Sequence, residues 1–369
     1  MRGGIIPAPI MNLPWRLLLP VMFIAGFGCV VLYSAAGGHV RPWAFSQGLR
    51  FVVFLGLALF LGRIKQDSWK AIAFPAYGII CVLLLIVELF GAVKGGSQRW
   101  IDLGFIRLQP SELMKIAIVL AISRFYDIMP AGEIRRWNAI WIPLVMILLP
   151  AGLVLLQPDL GTATMIIAGG ITVMFLAGLP LRLFIGGGVA VLAALPILWF
   201  SMHDYQRNRV LIFLDPESDP LGTGYHISQS KIAIGSGGFF GKGFLNGSQS
   251  HLDYLPEGHT DFVFATMAEE WGLVGATLLI AAYFMIVRYA MQVANRSQDK
   301  FGRLLASGLG CTIFYYFSVN IMMVMGMAPV VGIPLPMFSF GGSALMTLMI
   351  CFGMLMSIDR ASRRSGQFI

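Results

Sequence analysis

The chain has 369 residues, 57% of them hydrophobic and 12% charged, with a formal net charge of +8. Soluble domains carry about a quarter charged residues, and a disordered chain needs low hydrophobicity, so neither an ordinary soluble globule nor a disordered polymer fits. The composition describes an all-α polytopic membrane protein; at about 20 apolar residues per span the length holds roughly ten helices and one sizeable loop, and leaves no room for a separate soluble catalytic domain.

Apolar runs near 15–34, 45–62, 71–91, 111–126, 139–156, 160–178, 183–201, 262–290, 302–326 and 339–358 predict ten transmembrane spans in a single domain, 1–369. The first run is longer than a signal-peptide core and no A-x-A site follows it, so it reads as an uncleaved span. An even span count puts both termini on one side. Placing them in the cytoplasm gives that side 16 of the 26 Lys and Arg residues, among them Arg16, Arg63, Lys70, Arg124, Arg182, Arg296, Arg303 and Arg363. The connections 157–159 and 327–338 hold none. A basic inner face also accounts for the positive balance without nucleic acid.

Two outward segments break this pattern. Residues 92–110 carry Lys94, Arg99 and Arg107 among Gly95, Gly96 and Trp100. Residues 202–261 form a large extracytoplasmic loop between spans 7 and 8, dense in Gly, Pro and charge; a connection of that length is expected to be functional and partly ordered. Within it, Tyr225 to Ile234 is predicted to form a short amphipathic helix against the outer membrane face. The stretch GSGGFFGKG, Gly235 to Gly243, resembles a phosphate loop, but Ser236 stands at the first glycine position and Gly243 at the Ser/Thr position, and no strand precedes it. The four cysteines lie in apolar runs without metal or disulfide spacing and read as small core residues. No fixed-period repeat marks an inverted-repeat transporter.

Charged groups inside a span cost at least about 2.5 kcal/mol at the membrane centre, so each one prompts a functional reading. Glu112 and Lys115 stand three apart on one face of the fourth span, as an internal ion pair locking helices or as two groups facing a polar cavity. Glu269 and Glu270, about two turns into the eighth span, read as structural anchors to another helix. Asp261 and Asp159 each have the bland reading of an acid at a helix start, and Arg99-Trp100 that of an interfacial anchor. Their common side is what argues for more. Cations at the outer ends of spans suit an anionic lipid headgroup, especially a diphosphate, and a carboxylate beside them suits a general base.

Longer motifs carry a resemblance. GSQRWIDLGFIRLQPSELMKIA (Gly96 to Ala117), QPDLGTA (Gln157 to Ala163), DPESDPLGTGYHISQSKIAIGSGG (Asp215 to Gly238), LPEGHTDFVFATMAEEWG (Leu255 to Gly272) and PLPMFSFGGSA (Pro334 to Ala344) are similar to the SEDS family of shape, elongation, division and sporulation proteins, in its elongation branch, from about residue 15 to 358. The resemblance implies ten transmembrane helices in the bacterial inner membrane and a peptidoglycan glycosyltransferase that polymerises lipid II at the periplasmic face, releasing undecaprenyl pyrophosphate with inversion. It assigns Asp261 as the catalytic aspartate and Arg99, Trp100, Lys115, Glu112, Gln109, Ser111, Asp159, Glu257 and Thr260 as substrate-binding residues. Gly258 departs from the longer, often basic residue common in relatives.

The resemblance further implies a class B penicillin-binding transpeptidase as partner, with other elongasome proteins. No cofactor motif is evident; a divalent cation is compatible with a diphosphate substrate, but no acidic cluster has ligand spacing. Two rival readings follow from the same residues. A lipid II flippase needs polar groups along a path through the membrane, and a non-catalytic scaffold for the transpeptidase needs no Asp261 at all.

Overall fold

The computed structural model describes residues 13–90, 92–94, 97–102, 107–134, 136–202, 204–219, 222–251, 254–255 and 258–365. Each apolar run folds as a helix, because membrane-embedded backbone must satisfy its own hydrogen bonds. In chain order these are α1 (Trp15–Ala35), α2 (Trp43–Leu61), α3 (Gln66–Phe90), α4 (Pro110–Ile128), α5 (Asn138–Leu156), α6 (Leu160–Leu176) and α7 (Leu181–Ser201). The outward loop adds α8 (Asp204–Leu214), α9 (Thr223–Gly237) and the single turn α10 (Ser248–His251), before α11 (Val263–Arg296), α12 (Lys300–Val324) and α13 (Gly342–Ser365). By length and composition, 7 of these helices can cross a membrane; α6 and the 181–197 part of α7 are shorter apolar helices. The expectation of an all-helical chain needs one amendment: 92–108 holds a small antiparallel ribbon, with β1 (Ala92–Lys94) paired to β2 (Ser97–Asp102) and β2 to β3 (Arg107–Leu108).

Lipid tails are as apolar as leucine, so these helices associate through close packing rather than through burial from water. Small residues mark the closest approaches. A methyl group built on Gly308 of α12 would stand 2.7 Å from Val119 of α4 and Val173 of α6, and one on Gly353 of α13 would stand 2.6 Å from Leu61 of α2. The core sits where α4, α6, α11, α12 and α13 meet, around fully buried Met114, Tyr126, Tyr283, Phe301 and Phe352. By contrast α7 is loosely packed. It touches α6 through Phe175 and Phe184 and leaves Ile185, Val189, Leu192 and Ile197 exposed, an apolar surface suited to lipid.

α11 is two helices rather than one. Gly272 has φ 60° and ψ −157°, which divides it into 263–271 and 273–296. A break inside a membrane orphans carbonyls on one side and N–H groups on the other, and the glycine-rich stretch satisfies both. The backbone N–H groups of Lys242 and Gly243 donate to the Glu269 and Glu270 carbonyls, while Leu273 and Val274 donate to the Gly238 and Phe239 carbonyls. Glycine is required for that approach. A Cβ on Gly241 would overlap the Glu270 carbonyl oxygen, and one on Gly272 would overlap the Gly241 nitrogen. The motif that mimics a phosphate loop is therefore a backbone splint for a broken helix.

Glu270 anchors α11 to another helix, α1, as expected, whereas Glu269 holds the glycine-rich connection. Glu269 is fully buried and accepts from Lys242 Nζ at 2.6 Å, Ser248 Oγ at 3.0 Å and the Gln249 N–H at 3.1 Å. Glu270 accepts from Ser34 Oγ of α1. The predicted 225–234 helix is present within α9, but Ile227, Ser230 and Ala233 bury its inner face against the bundle, with Ser230 Oγ donating to the Val324 carbonyl at 2.7 Å. It is part of the packed fold rather than a helix resting only on a membrane surface. At the other end of the bundle, Lys70 of α3 reaches Asp299 at 2.9 Å and Asp127 at 3.6 Å, and Asp299 caps α12 through Gly302 N–H.

Candidate functional site

The candidate residues gather into three groups linked by one loop. The first surrounds Asp159, the N-cap of α6, whose Oδ1 accepts from Thr162 N–H and whose Oδ2 accepts from Gln109 Nε2, both at 3.1 Å. The bland reading of Asp159 as a cap is thus correct, and its second oxygen ties the start of α4 to the start of α6. Arg99, on β2, donates through Nε to the Gln157 carbonyl at 2.9 Å and through Nη2 to the Pro158 carbonyl. A cation there also satisfies exposed carbonyls at the end of α5, where the helix dipole favours positive charge. Trp100 follows in β2 and is half-buried, and Arg107 in β3 is exposed.

The second group lies one turn further along α4. Lys115 is 1% exposed and Glu112 4%. Lys115 Nζ donates to Glu112 Oε1 at 2.7 Å and sits 4.3 Å from the centre of the Tyr316 ring, while Tyr316 of α12 donates its hydroxyl proton to Glu112 Oε2 at 2.6 Å. The two charges are therefore paired, hydrogen-bonded and roofed by an aromatic face, the arrangement a desolvated ion pair needs. Ser111 is buried beside them, and its hydroxyl has no hydrogen-bond partner among the described residues.

The third group is Asp261 with its supports. Phe262, not Asp261, holds the cap position of α11, so the aspartate stands just before the short half-helix. The backbone of 259–261 is held by α12 and by the 335–340 loop. Asn320 Nδ2 donates to the Asp261 carbonyl at 2.8 Å, Ser339 Oγ to the Thr260 carbonyl at 2.7 Å, and Phe340 N–H to the His259 carbonyl at 3.0 Å. The His259 ring stacks on Trp43 of α2 with centroids 4.1 Å apart. Gly258 is buried, and a Cβ there would lie 3.1 Å from both Thr266 Oγ1 and the Leu255 carbonyl oxygen, so a longer residue would need this corner to open. Glu257 falls outside the described residues.

Residues 331–333, between α12 and α13, join the groups. The Gly332 Cα region approaches Asp261, where an added Cβ would be 3.5 Å from Oδ2; the Val331 carbonyl is 2.5 Å from where a Cβ on Gly161 would sit. Ile333 packs with Tyr316 and Met165, and its carbonyl accepts from Asn320 Nδ2 at 2.7 Å. Asn320 and Tyr316 escaped the sequence reading. Both lie in a mostly apolar run that also holds Ser307, Thr312, Tyr315 and Ser318; their spacing of four, which puts both on one face of α12, was the available signal.

Asn320→Leu is expected to orphan the buried Ile333 carbonyl at about 1–3 kcal/mol and the half-buried Asp261 carbonyl at less. The check is the thermal unfolding midpoint of the detergent-purified protein, which should fall by several degrees; an unchanged midpoint would mean that the loop and Asp261 are held by other contacts.

The chain resembles known proteins over nearly its whole length. Residues 14–364 match the cell cycle protein family of FtsW, RodA and SpoVE. The chain is 47% identical over 346 residues to the peptidoglycan glycosyltransferase MrdB of Escherichia coli strain K12, covering 93% of this chain and 92% of that one. It is 32% identical over 424 residues to the peptidoglycan glycosyltransferase RodA of Treponema pallidum, covering 94% and 97%. Among solved structures, a chain from a peptidoglycan synthase complex with coordinated polymerization and crosslinking superposes with a TM-score of 0.83 at 32% identity, covering 95% of this chain and 99% of that one. The rod shape determining protein RodA of Thermus thermophilus gives 0.72 at 30% identity, covering 95% and 97%.

Proposed function

The chain belongs to the FtsW, RodA and SpoVE cell cycle family, and from that premise we propose that it polymerises lipid II at the periplasmic face with Asp261 as general base. It is a multi-pass inner-membrane protein and a peptidoglycan glycosyltransferase. The observation that carries the finer reading is the setting of Asp261: a carboxylate at the tip of a half-helix, with the three residues 259–261 gripped through their carbonyls by α12 and the 335–340 loop. A base held this firmly meets the positional demand of proton transfer, which tolerates little wander.

In this mechanism Asp261 takes the proton from the 4-hydroxyl of the acceptor GlcNAc as that oxygen forms a bond to the anomeric carbon of the donor MurNAc. The bond from that carbon to the pyrophosphate oxygen breaks on the opposite face, and undecaprenyl pyrophosphate leaves with inversion. Charge grows on the leaving diphosphate, so preorganised cations lower the barrier. Arg99 and Arg107 would supply them, with Lys115 and Glu112 setting the field behind, while Gln109, Ser111, Asp159, Trp100, Thr260 and Glu257 are the residues that the family resemblance assigns to substrate binding. Among the described residues no three Asp, Glu, His or Cys side chains converge to hold a metal; a divalent cation carried by the diphosphate itself would share the charge stabilisation with these residues.

The similarity to a chain of a peptidoglycan synthase complex supports a crosslinking partner, for which a class B penicillin-binding transpeptidase is the proposed identity; other elongasome proteins are a further part of the proposal. The rival flippase reading drew on Lys115, Glu269 and Glu270, and each of these is engaged within the protein. The deciding experiment supplies the purified protein and its transpeptidase with labelled lipid II in detergent and resolves products on a gel. Polymer that persists with the transpeptidase inhibited is the expected result; lipid II crossing a bilayer without polymer would select the flippase.

A further inference from the structure

A cavity of about 440 Å³ opens at the end of the bundle remote from Asp261, between the start of α1, the end of α11 and the end of α13. Residues 273–288 of α11 place the cavity about 24 Å of helix, at 1.5 Å per residue, beyond the break at Gly272. The cavity brings together Arg16, Arg296 and Arg363, with Trp15, Tyr289 and Val293 in its walls. Arg363 is neutralised and aimed by Asp359 at 2.7 Å, and Asp359 is itself held by the Tyr289 hydroxyl at 3.1 Å. Arg16 and Arg296 are exposed, and no carboxylate among the described residues pairs with either. Two uncompensated guanidinium groups thus face one concavity whose walls include an indole and aliphatic side chains.

We propose that this cavity is a binding site for the phosphodiester headgroup of an anionic phospholipid in the leaflet opposite Asp261. Guanidinium groups bind phosphate oxygens in pairs through parallel N–H donors, which an isolated surface lysine does not do. Basic pockets between helix ends at the membrane edge suit anionic headgroups. The position supports a lipid over a soluble phosphate: all three elements reach the cavity from membrane-crossing helices, and Trp15 lies where indole rings favour the headgroup layer. The lipid would clamp α1 to α11 and α13 at one end, as Ser34 and Glu270 tie α1 to α11 toward the other. The inference is independent of the glycosyltransferase mechanism, since none of these residues belongs to the Asp261 site.

The test is ligand-dependent thermal unfolding of delipidated, full-length protein in detergent, titrated separately with phosphatidylglycerol, phosphatidylcholine and inorganic phosphate. Phosphatidylglycerol is expected to raise the unfolding midpoint, with the other two giving little change. Each basic residue near a charged membrane surface contributes about 5-fold in affinity, so Arg16→Gln with Arg296→Gln should weaken the response about 30-fold. Arg16→Lys with Arg296→Lys, which keeps charge but not the paired donors, should fall between, and Arg182→Gln with Arg303→Gln, outside the cavity, should match the native protein. Because Arg16 and Arg296 pair with no carboxylate, their loss orphans no charge, and the lipid-free midpoint should be unchanged. An equal response from the Arg16/Arg296 double variant, or an equal response to phosphatidylcholine, overturns the proposal; a response to inorganic phosphate matching that to phosphatidylglycerol overturns the lipid assignment.

Discussion

Replacing Asp261 by Ala or Asn is expected to lower lipid II polymerisation by about 10² to 10⁴, the usual cost of losing a general base, while the protein inserts and purifies normally. The two outcomes separate because the supports of this position act on backbone atoms. Asn320 holds the Asp261 carbonyl, Ser339 the Thr260 carbonyl and Phe340 the His259 carbonyl, and none of these bonds depends on the carboxylate. Asn preserves shape and cannot accept the proton, so its defect should resemble that of Ala; a large difference between them would point to a steric rather than a basic role. The measurement is initial polymer yield from labelled lipid II with the transpeptidase inhibited, beside the thermal midpoint of each variant. A correctly inserted Asp261→Ala protein with native polymer yield would sink the assignment of the base and favour a scaffold.

How far the sequence revealed this arrangement depended on whether a residue's partner was local. The helices were legible because membrane backbone has few alternatives, and Asp159 was legible as a cap because its partner Thr162 lies three residues on. The division of α11 was not. Residues 262–290 read as one apolar run, and the signal for a break at Gly272 lies partly in glycines some thirty residues earlier, whose purpose appears only when Gly241 meets Glu270. The same stretch invited comparison with a phosphate loop because both need backbone to approach without side chains in the way.

The ribbon in 92–108 was missed because three short strands leave little periodic pattern beneath their glycines. Asn320 and Tyr316 were missed because nothing set them apart from Tyr315 and Ser318 in the same run until Asp261 and Glu112 are brought beside them. Asp261, Arg99 and Lys115 were readable as chemistry only through their common side and the long motifs around them. Structure adds a distinction among the cations: Arg99 sits half-buried near the surface, whereas Lys115 is enclosed.

That enclosure makes the Glu112–Lys115 pair the second large test. Lys115→Met is expected to destabilise the protein by about 3–5 kcal/mol, because it leaves Glu112 buried without a counter-charge. Glu112→Gln should be similarly costly, since Lys115 would then be buried beside Tyr316 with no carboxylate. Combining them removes both charges. Replacing a buried ion pair by groups of similar volume is often neutral or stabilising, so the double variant should recover a near-native unfolding midpoint, with the Tyr316 hydroxyl still able to donate to the side-chain amide oxygen introduced by Glu112→Gln. Stability alone therefore does not account for a charged pair here, and a desolvated charge in a span is a functional signal. The pair lies one turn along α4 from the Gln109–Asp159 contact, and in the proposed mechanism its field would act on the leaving diphosphate. Polymerisation by the double variant is accordingly expected to stay at least about tenfold below native, in the same gel assay and at matched protein concentration. A double variant that regains both stability and native polymer yield would reduce Glu112 and Lys115 to a lock between α4 and α12, and leave the leaving group to Arg99 and Arg107.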